Sequence, residues 1–416
     1  MSIHAAGVVG LAVIFLIAML RPVNLGALAL VSTYLLGSIF AHESLADIYA
    51  GFPVDLFLLL VGVTYLFAVA ETNGTVERIV RAAARLVRNR RILIPWIVFV
   101  VASLPAMAGA LGSAGVAILA PLSLRLAKRY DIDRRMIGLM VVHGAAAGNF
   151  SPLNVLSAIV TRAVERGGLT MSSAALFVSN LFYNVALAGI IFVLFGGLRL
   201  RGGVHARAEE DESEGALGRL RSEQLCSLLA LLGVAAGALV FGLNIGFLAL
   251  AAAVILHAAF PAASRGAEKR IAWTVVLLVC GVITYVAALQ RYGTVQAVGD
   301  GIAALESPLI TALLLCGVAA VTSAFASSAG ILGAMIPLAV PFMARGEIGV
   351  SGLVVALAIS ATVVDATPFS TVGALVVANT EEQERTQVYR GLLLWGGAMV
   401  LTAPVVTWLA FILTAG

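Results

Sequence analysis

The chain has 416 residues, of which 61% are hydrophobic and 12% charged, against roughly 45–50% apolar and about 25% charged in soluble domains. That balance places it in lipid and excludes disordered, fibrous, collagen-like and disulfide-rich secreted classes. The net charge of +4 matters less than where the charges fall.

In chain order, the first apolar run covers residues 5–20. It has no basic segment before it and no small-residue cleavage site after it, so it reads as a retained span and not a signal peptide. Residues 24–40, 53–71, 136–164 and 174–197 follow as runs long enough for a hydrocarbon core of about 30 Å. A polar connector, residues 199–223, carries Glu209, Glu210, Asp211, Glu212 and Glu214 among arginines and cannot pack a core. The second half gives runs at 224–242, 244–260, 271–290, 349–378 and 391–415. Two stretches, 92–127 and 308–344, are too long for one helix. Each is broken by small residues, Gly109, Gly112 and Gly115 in one, Ser327, Ser328 and Gly330 in the other, and each reads as a re-entrant helical hairpin. Cys226, Cys280 and Cys316 lie in apolar runs without metal-ligand or disulfide spacing and read as packing.

With the N-terminus outside, 22 of the 26 Lys and Arg fall inside, leaving Arg162, Arg166, Arg291 and Arg345 outside, as the positive-inside rule requires. The reading is an all-α polytopic membrane protein with about ten transmembrane helices plus two re-entrant hairpins. Both termini lie outside and the central linker is cytoplasmic, in a bacterial-type inner membrane. Arg78, Arg81, Arg85 and Arg88 recur at helical spacing, which predicts an inner amphipathic helix over 75–91; residues 293–305 are its outer counterpart. Asp55, His257 and Glu306 sit near span ends and read as solvated.

The two halves share landmarks in the same order, about 215–220 residues apart. Thr64-Tyr65 and Gly74-Thr75-Val76 answer to Thr284-Tyr285 and Gly293-Thr294-Val295. Gly112-Ser113-Ala114-Gly115 answers to Ser327-Ser328-Ala329-Gly330, and Ser151-Pro152 to Thr367-Pro368. Each half has an odd number of spans, so residues 1–198 and 224–416 form two inverted repeats, an architecture of secondary transporters.

Ser-Pro and Thr-Pro inside long apolar runs predict discontinuous helices, with Ser151 or Thr367 as N-cap and the proline at the first helical position. The breaks fall at 148–154 and 365–371. A half-helix N-terminus carries about half a positive charge and free N–H groups, so breaks and hairpin tips together form an anion site. The carbonyls before each break, with Asn149, Ser113, Asp365, Ser327 and Ser328, are hard oxygen ligands for a sodium ion. Asp365 is a carboxylate near the bilayer midplane, which costs a few kcal/mol and marks function. His143 is either a proton carrier or a packing hydrogen-bond partner.

Gly51-Phe52-Pro53-x-Asp55-Leu56-Phe57, Tyr65-Leu66-Phe67, Asn73-Gly74-Thr75, Leu93-Ile94-Pro95-Trp96, Val116-Ala117-Ile118-Leu119-Ala120-Pro121 and His143-Gly144-Ala145 together resemble the MatC family of malonate and dicarboxylate carriers. The layout of the whole chain is similar to the ion transporter superfamily that includes the divalent anion sodium symporters. The resemblance implies a scaffold and an elevator-type transport domain, with substrate and sodium held at Ser-Asn-Thr hairpin tips. Of that set these tips keep only serine. By position, the substrate residues would be Gly112, Ser113, Ala114, Ser151, Asn154, Ser327, Ser328, Thr367, Ser370 and Thr371. The cation residues would be Ser113, Gly148, Asn149, Ser328, Asp365 and Thr367.

The expected function is cation-coupled, sodium-driven uptake of a small di- or tricarboxylate such as malonate, a C4-dicarboxylate or citrate. The alternative is a cation/proton antiporter or oxyanion exporter with Asp365 and His143 as proton-linked residues. Gly349-Val350-Ser351-Gly352 formally matches the motif of an intramembrane serine protease, a remote third reading. P-loop, H-E-x-x-H and dinucleotide motifs do not occur, so the chain is read as no enzyme. No cofactor is expected beyond sodium as coupling ion. The expected partners are the carboxylate, sodium or protons and the bilayer, with a homodimer allowed and nucleic acid excluded.

Overall fold

The computed structural model describes residues 3–21, 23–76, 78, 91–201, 220–241, 243–294, 297, 307–324, 328–346 and 348–413. Among these, the chain is helical throughout and contains no strand. The first half comprises α1 (Ile3–Leu20), α2 (Leu25–Leu36, extended by a π turn to Ala41), α3 (Leu45–Ala50), α4 (Val54–Thr72), α5 (Ile94–Met107), α6 (Gly112–Arg129), α7 (Arg134–Gly148), α8 (Val155–Arg166) and α9 (Ser173–Leu194). The second comprises α10 (Ser222–Phe241), α11 (Ile245–Ala259), α12 (Trp273–Arg291), α13 (Pro308–Ser323), α14 (Ser328–Ala344), α15 (Val350–Val363), α16 (Thr371–Ala378) and α17 (Glu382–Trp408).

Helix starts follow local chemistry. Asn24 caps α2 by accepting from the Gly26 and Ala27 amides, and Asn244 caps α11 by accepting from Phe247, satisfying N–H groups that a helix start leaves open. Among the described residues, five helices are long and apolar enough to cross a membrane: Val54–Thr72, Ser173–Leu194, Trp273–Arg291, Val350–Ala378 taken through its break, and Glu382–Leu413. Breaks and turns interrupt several of the remaining apolar runs.

Two boundaries differ from expectation. The last helix starts at Glu382 and not at residue 391, since Glu382 and Glu384 in its first turn complement the helix N-terminus and the helix runs past the end of its apolar segment. α3 was not anticipated; Ser44 and Asp47 close a capping box at its start, a polar signal that hydropathy does not register. The expected amphipathic helix at 75–91, its counterpart at 293–305, the centre of the linker, Glu306 and Ser327 lie wholly or largely outside the described residues.

Glycines set the closest helix crossings. A Cβ on Gly26 of α2 would lie 2.0 Å from the Leu277 carbonyl oxygen of α12, and one on Gly281 of α12 would lie 2.0 Å from the Gly26 oxygen. A Cβ on Gly62 of α4 would lie 2.3 Å from the Gly246 oxygen of α11. Without side chains the backbones reach van der Waals contact, the main attraction left to helices in lipid. Gly144 and Gly148 of α7 do the same against the Phe99 and Ser103 carbonyls of α5. The main core gathers α4 to α9 and α12 to α17 around α7 and α15, whose residues are buried almost throughout.

Candidate functional site

Both long apolar runs break where expected, yet the helices restart three residues later than the Ser-Pro and Thr-Pro steps suggest. α8 is capped by Asn154, whose Oδ1 accepts from the Leu156 amide at 2.9 Å. α16 is capped by Ser370, whose Oγ accepts from Gly373 at 3.0 Å. Ser151 and Thr367 are therefore not the N-caps. Their hydroxyls instead reach the hairpins: Ser151 Oγ donates to the Met107 carbonyl at the end of α5 at 2.6 Å, and Thr367 Oγ1 to the Ala324 carbonyl at the end of α13 at 2.8 Å. Each hydroxyl satisfies a carbonyl that a terminating helix leaves open.

At the first break, Asn154 Nδ2 also donates to the Ala106 and Ala110 carbonyls at 2.8 and 3.0 Å, so one side chain caps α8 and holds the hairpin turn. That turn needs Gly109 at φ +106, where a Cβ would meet Val63 at 2.5 Å. Asn149 is 5% exposed. Its Oδ1 is buried without a hydrogen-bond partner and faces Gly112 at the start of α6, 3.4 Å from where a Cβ would stand. The Gly148 carbonyl accepts from the Ser151 amide at 3.1 Å. Ser113 and Ala114 follow in the first turn of α6, partly buried.

At the second break, Asp365 Oδ2 accepts from Ser328 Oγ at the start of α14 at 2.6 Å, and Ser323 Oγ donates to Ser328 Oγ at 3.2 Å. Ser370 Oγ bonds the Asp365 carbonyl and, at 2.9 Å, the Thr367 carbonyl. Thr371 is exposed. Gly112 and Asn149 are thus brought together in one half, and Ser328, Asp365 and Ser370 in the other. The two adjoin, since α7 touches the 364–366 turn, α8 packs on α14 and α6 on α16.

His143 is fully buried, with Nδ1 at 3.0 Å from Asn184 Oδ1 and Nε2 accepting from Trp395 Nε1 at 2.8 Å. Asn180, Asn184 and Trp395 escaped the sequence reading. Two amides one turn apart in an apolar span were the signal that could have found the first two. Asp55 is exposed, as expected, and pairs with Arg166 at 2.7 Å, whereas His257 is half-buried and hydrogen-bonded to Tyr65 at 2.6 Å. Cys280 and Cys316 are buried free thiols and Cys226 is half-buried. Ser351 sits exposed in the first turn of α15.

Residues 1–149 match the family model described as the N-terminus of the dicarboxylate carrier protein MatC. No curated protein sequence matches the chain. Among solved structures, the crystal structure of the YdaH transporter of Alcanivorax borkumensis is similar over 89% of this chain and 87% of that one, with a TM-score of 0.63 at 15% identity. At that identity the likeness speaks for the fold. The chain is an all-helical, multi-pass membrane protein with a transporter fold, and its first 149 residues resemble the MatC dicarboxylate carriers.

Proposed function

We propose that this protein is a secondary transporter that takes up a small di- or tricarboxylate, coupled to sodium, by an elevator movement. The observation that carries the reading is the pair of matched breaks. In each, a Ser or Thr hydroxyl bonds the end of a hairpin arm, a new half-helix starts three residues on, and a side-chain oxygen of Asn149 or Asp365 lies beside a hairpin tip. Half-helix N-termini suit a carboxylate and buried oxygens suit a sodium ion. The MatC match supports a carboxylate as substrate.

Inverted repeats are supported by the scaffold crossings. Gly26 meets Gly281 and Gly246 lies against Gly62, so the second span of each half crosses the third span of the other, with matched residues about 220 positions apart. Re-entrant hairpins are supported by arm length: α5 has 14 residues and α13 has 16, about 21 and 24 Å at 1.5 Å per residue, short of a core of about 30 Å. In this reading α5 to α9 and α13 to α17 move as one body against α1 to α4 and α10 to α12. Both termini lie outside, the linker lies in the cytoplasm, and no enzymatic step is involved.

Thermal stabilisation of the purified protein tests this, using malonate, succinate and citrate, each with sodium and with choline, because a ligand of the folded state raises Tm. Stabilisation by one carboxylate only with sodium is the expected result. No carboxylate shift, with a response to cations or pH alone, overturns it in favour of an antiporter.

A further inference from the structure

Asn180 and Asn184 of α9 are both fully buried, so each amide has to find its partners within the protein. Their hydrogen bonds form one chain. Trp395 Nε1 of α17 can only donate, and it donates to His143 Nε2 at 2.8 Å. Nε2 therefore accepts, the ring proton sits on Nδ1, and Nδ1 donates to Asn184 Oδ1 at 3.0 Å. Asn184 Nδ2 then donates to Asn180 Oδ1 at 3.0 Å, and Asn180 Nδ2 to the carbonyls of Ala146 and Ala147 at 2.8 and 3.3 Å. A donor-only group at one end and acceptor-only groups at the other leave one consistent tautomer and one orientation for each amide.

The chain ends on the last turn of α7, next to Asn149. The Ala146 carbonyl also takes the Asn149 amide at 3.1 Å, and the Gly148 carbonyl takes Ser151 N–H. The terminal carbonyls of α7 are thus satisfied from within, while Asn149 Oδ1 alone stays buried and unpartnered at the break. Without Asn180, the Ala146 and Ala147 carbonyls lose the donor that ties the last turn of α7, which leads directly into Asn149, to α9. A shift of that released turn would withdraw Asn149 Oδ1 from Gly112 at the hairpin tip.

We infer that Asn180, held in place through Asn184 and His143 by Trp395, is a positioning residue that presents Asn149 Oδ1 to a coupling cation and so sets cation affinity. This rests on the cation site of the proposed function. The test is a sodium chloride titration against choline chloride at constant ionic strength, reading Tm of the purified full-length protein. Asn180→Ala raises the sodium concentration for half-maximal stabilisation at least tenfold. Trp395→Phe, which keeps a ring and removes one N–H, raises it several-fold. Tyr65→Phe, which removes the bond to His257 elsewhere in the molecule, lowers the sodium-free Tm and leaves half-saturation unchanged, separating positioning from general loss of stability. If Asn180→Ala does not fold, Trp395→Phe decides. A wild-type protein without any sodium response overturns the cation site and this inference together. A wild type that responds, with unchanged half-saturation in the variants, overturns the positioning chain alone.

Discussion

The breaks at 148–154 and 364–370 sit at equivalent places about 216 residues apart, and they solve one problem in two ways. Both interrupt a buried helix, and both use a hydroxyl to close a hairpin arm. The first then relies on amides: Asn154 caps and braces, Asn180 ties down the end of α7, and Asn149 keeps a free oxygen. The second relies on a carboxylate, which is already bonded to Ser328 of its own hairpin tip. A neutral amide oxygen can stay without a partner at smaller cost than a carboxylate, and the half-buried Asp365 is held by a donor. The difference teaches that matched geometry does not require matched chemistry, and it predicts that the two breaks respond differently to the same substitution.

The largest expected effect tests the packing difference. Gly148 answers in position to Val364, a side chain that is fully buried, but a Cβ at Gly148 would lie 2.6 Å from the Ser103 carbonyl. Gly148→Ala should cost about 2–3 kcal/mol of stability through overpacking, whereas Val364→Ala should lose stability by the opposite route, an unfilled cavity, both measured as Tm in detergent; a Gly148→Ala protein as stable as the wild type would remove the asymmetry. Next, Asn154→Ala should cost about 2 kcal/mol because it loses a cap and two bonds to hairpin carbonyls, and Ser370→Ala about 1 kcal/mol. The reverse order would show that Ser370 is the main brace.

Asp365→Asn converts the second break towards the first and should raise the sodium needed for half-maximal stabilisation about tenfold, the worth of one charge-assisted interaction. Ser328→Ala should raise it less. Unchanged values in both would remove the second break from the cation site. The smallest effect lies outside the breaks. Hydrogen bonds from Arg291 hold the Glu43 carboxyl below its ordinary value. The folded state therefore gains stability from Glu43 above the ordinary glutamate range and loses it as pH falls through the lowered value. Glu43→Gln should cost about 1 kcal/mol or less near neutral pH and flatten the acid side of a Tm–pH curve; a parallel shift at every pH would exclude this pair as the cause.

The positions of both breaks were legible because their causes are local: a proline, small residues and a lone Asp or Asn inside an apolar run. The landmarks Ser113, Ser151, Ser328 and Thr367 all fall at hairpin starts or breaks. Their partners were not legible. Asn154 and Ser370 as caps could have been found by asking which residue leaves a free side-chain oxygen two or three positions before a helical amide, instead of letting the proline decide.

By itself the sequence determined the membrane class, the order of apolar helices and hairpins, and the places where helices stop, since hydropathy, proline and glycine act through a few neighbouring residues. Only the tertiary structure decided which atoms meet at those stops. Ser151 reaches a carbonyl 44 residues away, Asp365 a hydroxyl 37 away and Trp395 a histidine 252 away. Inside a membrane each such group must find a partner within the protein, and which one it finds depends on how the whole helix bundle packs.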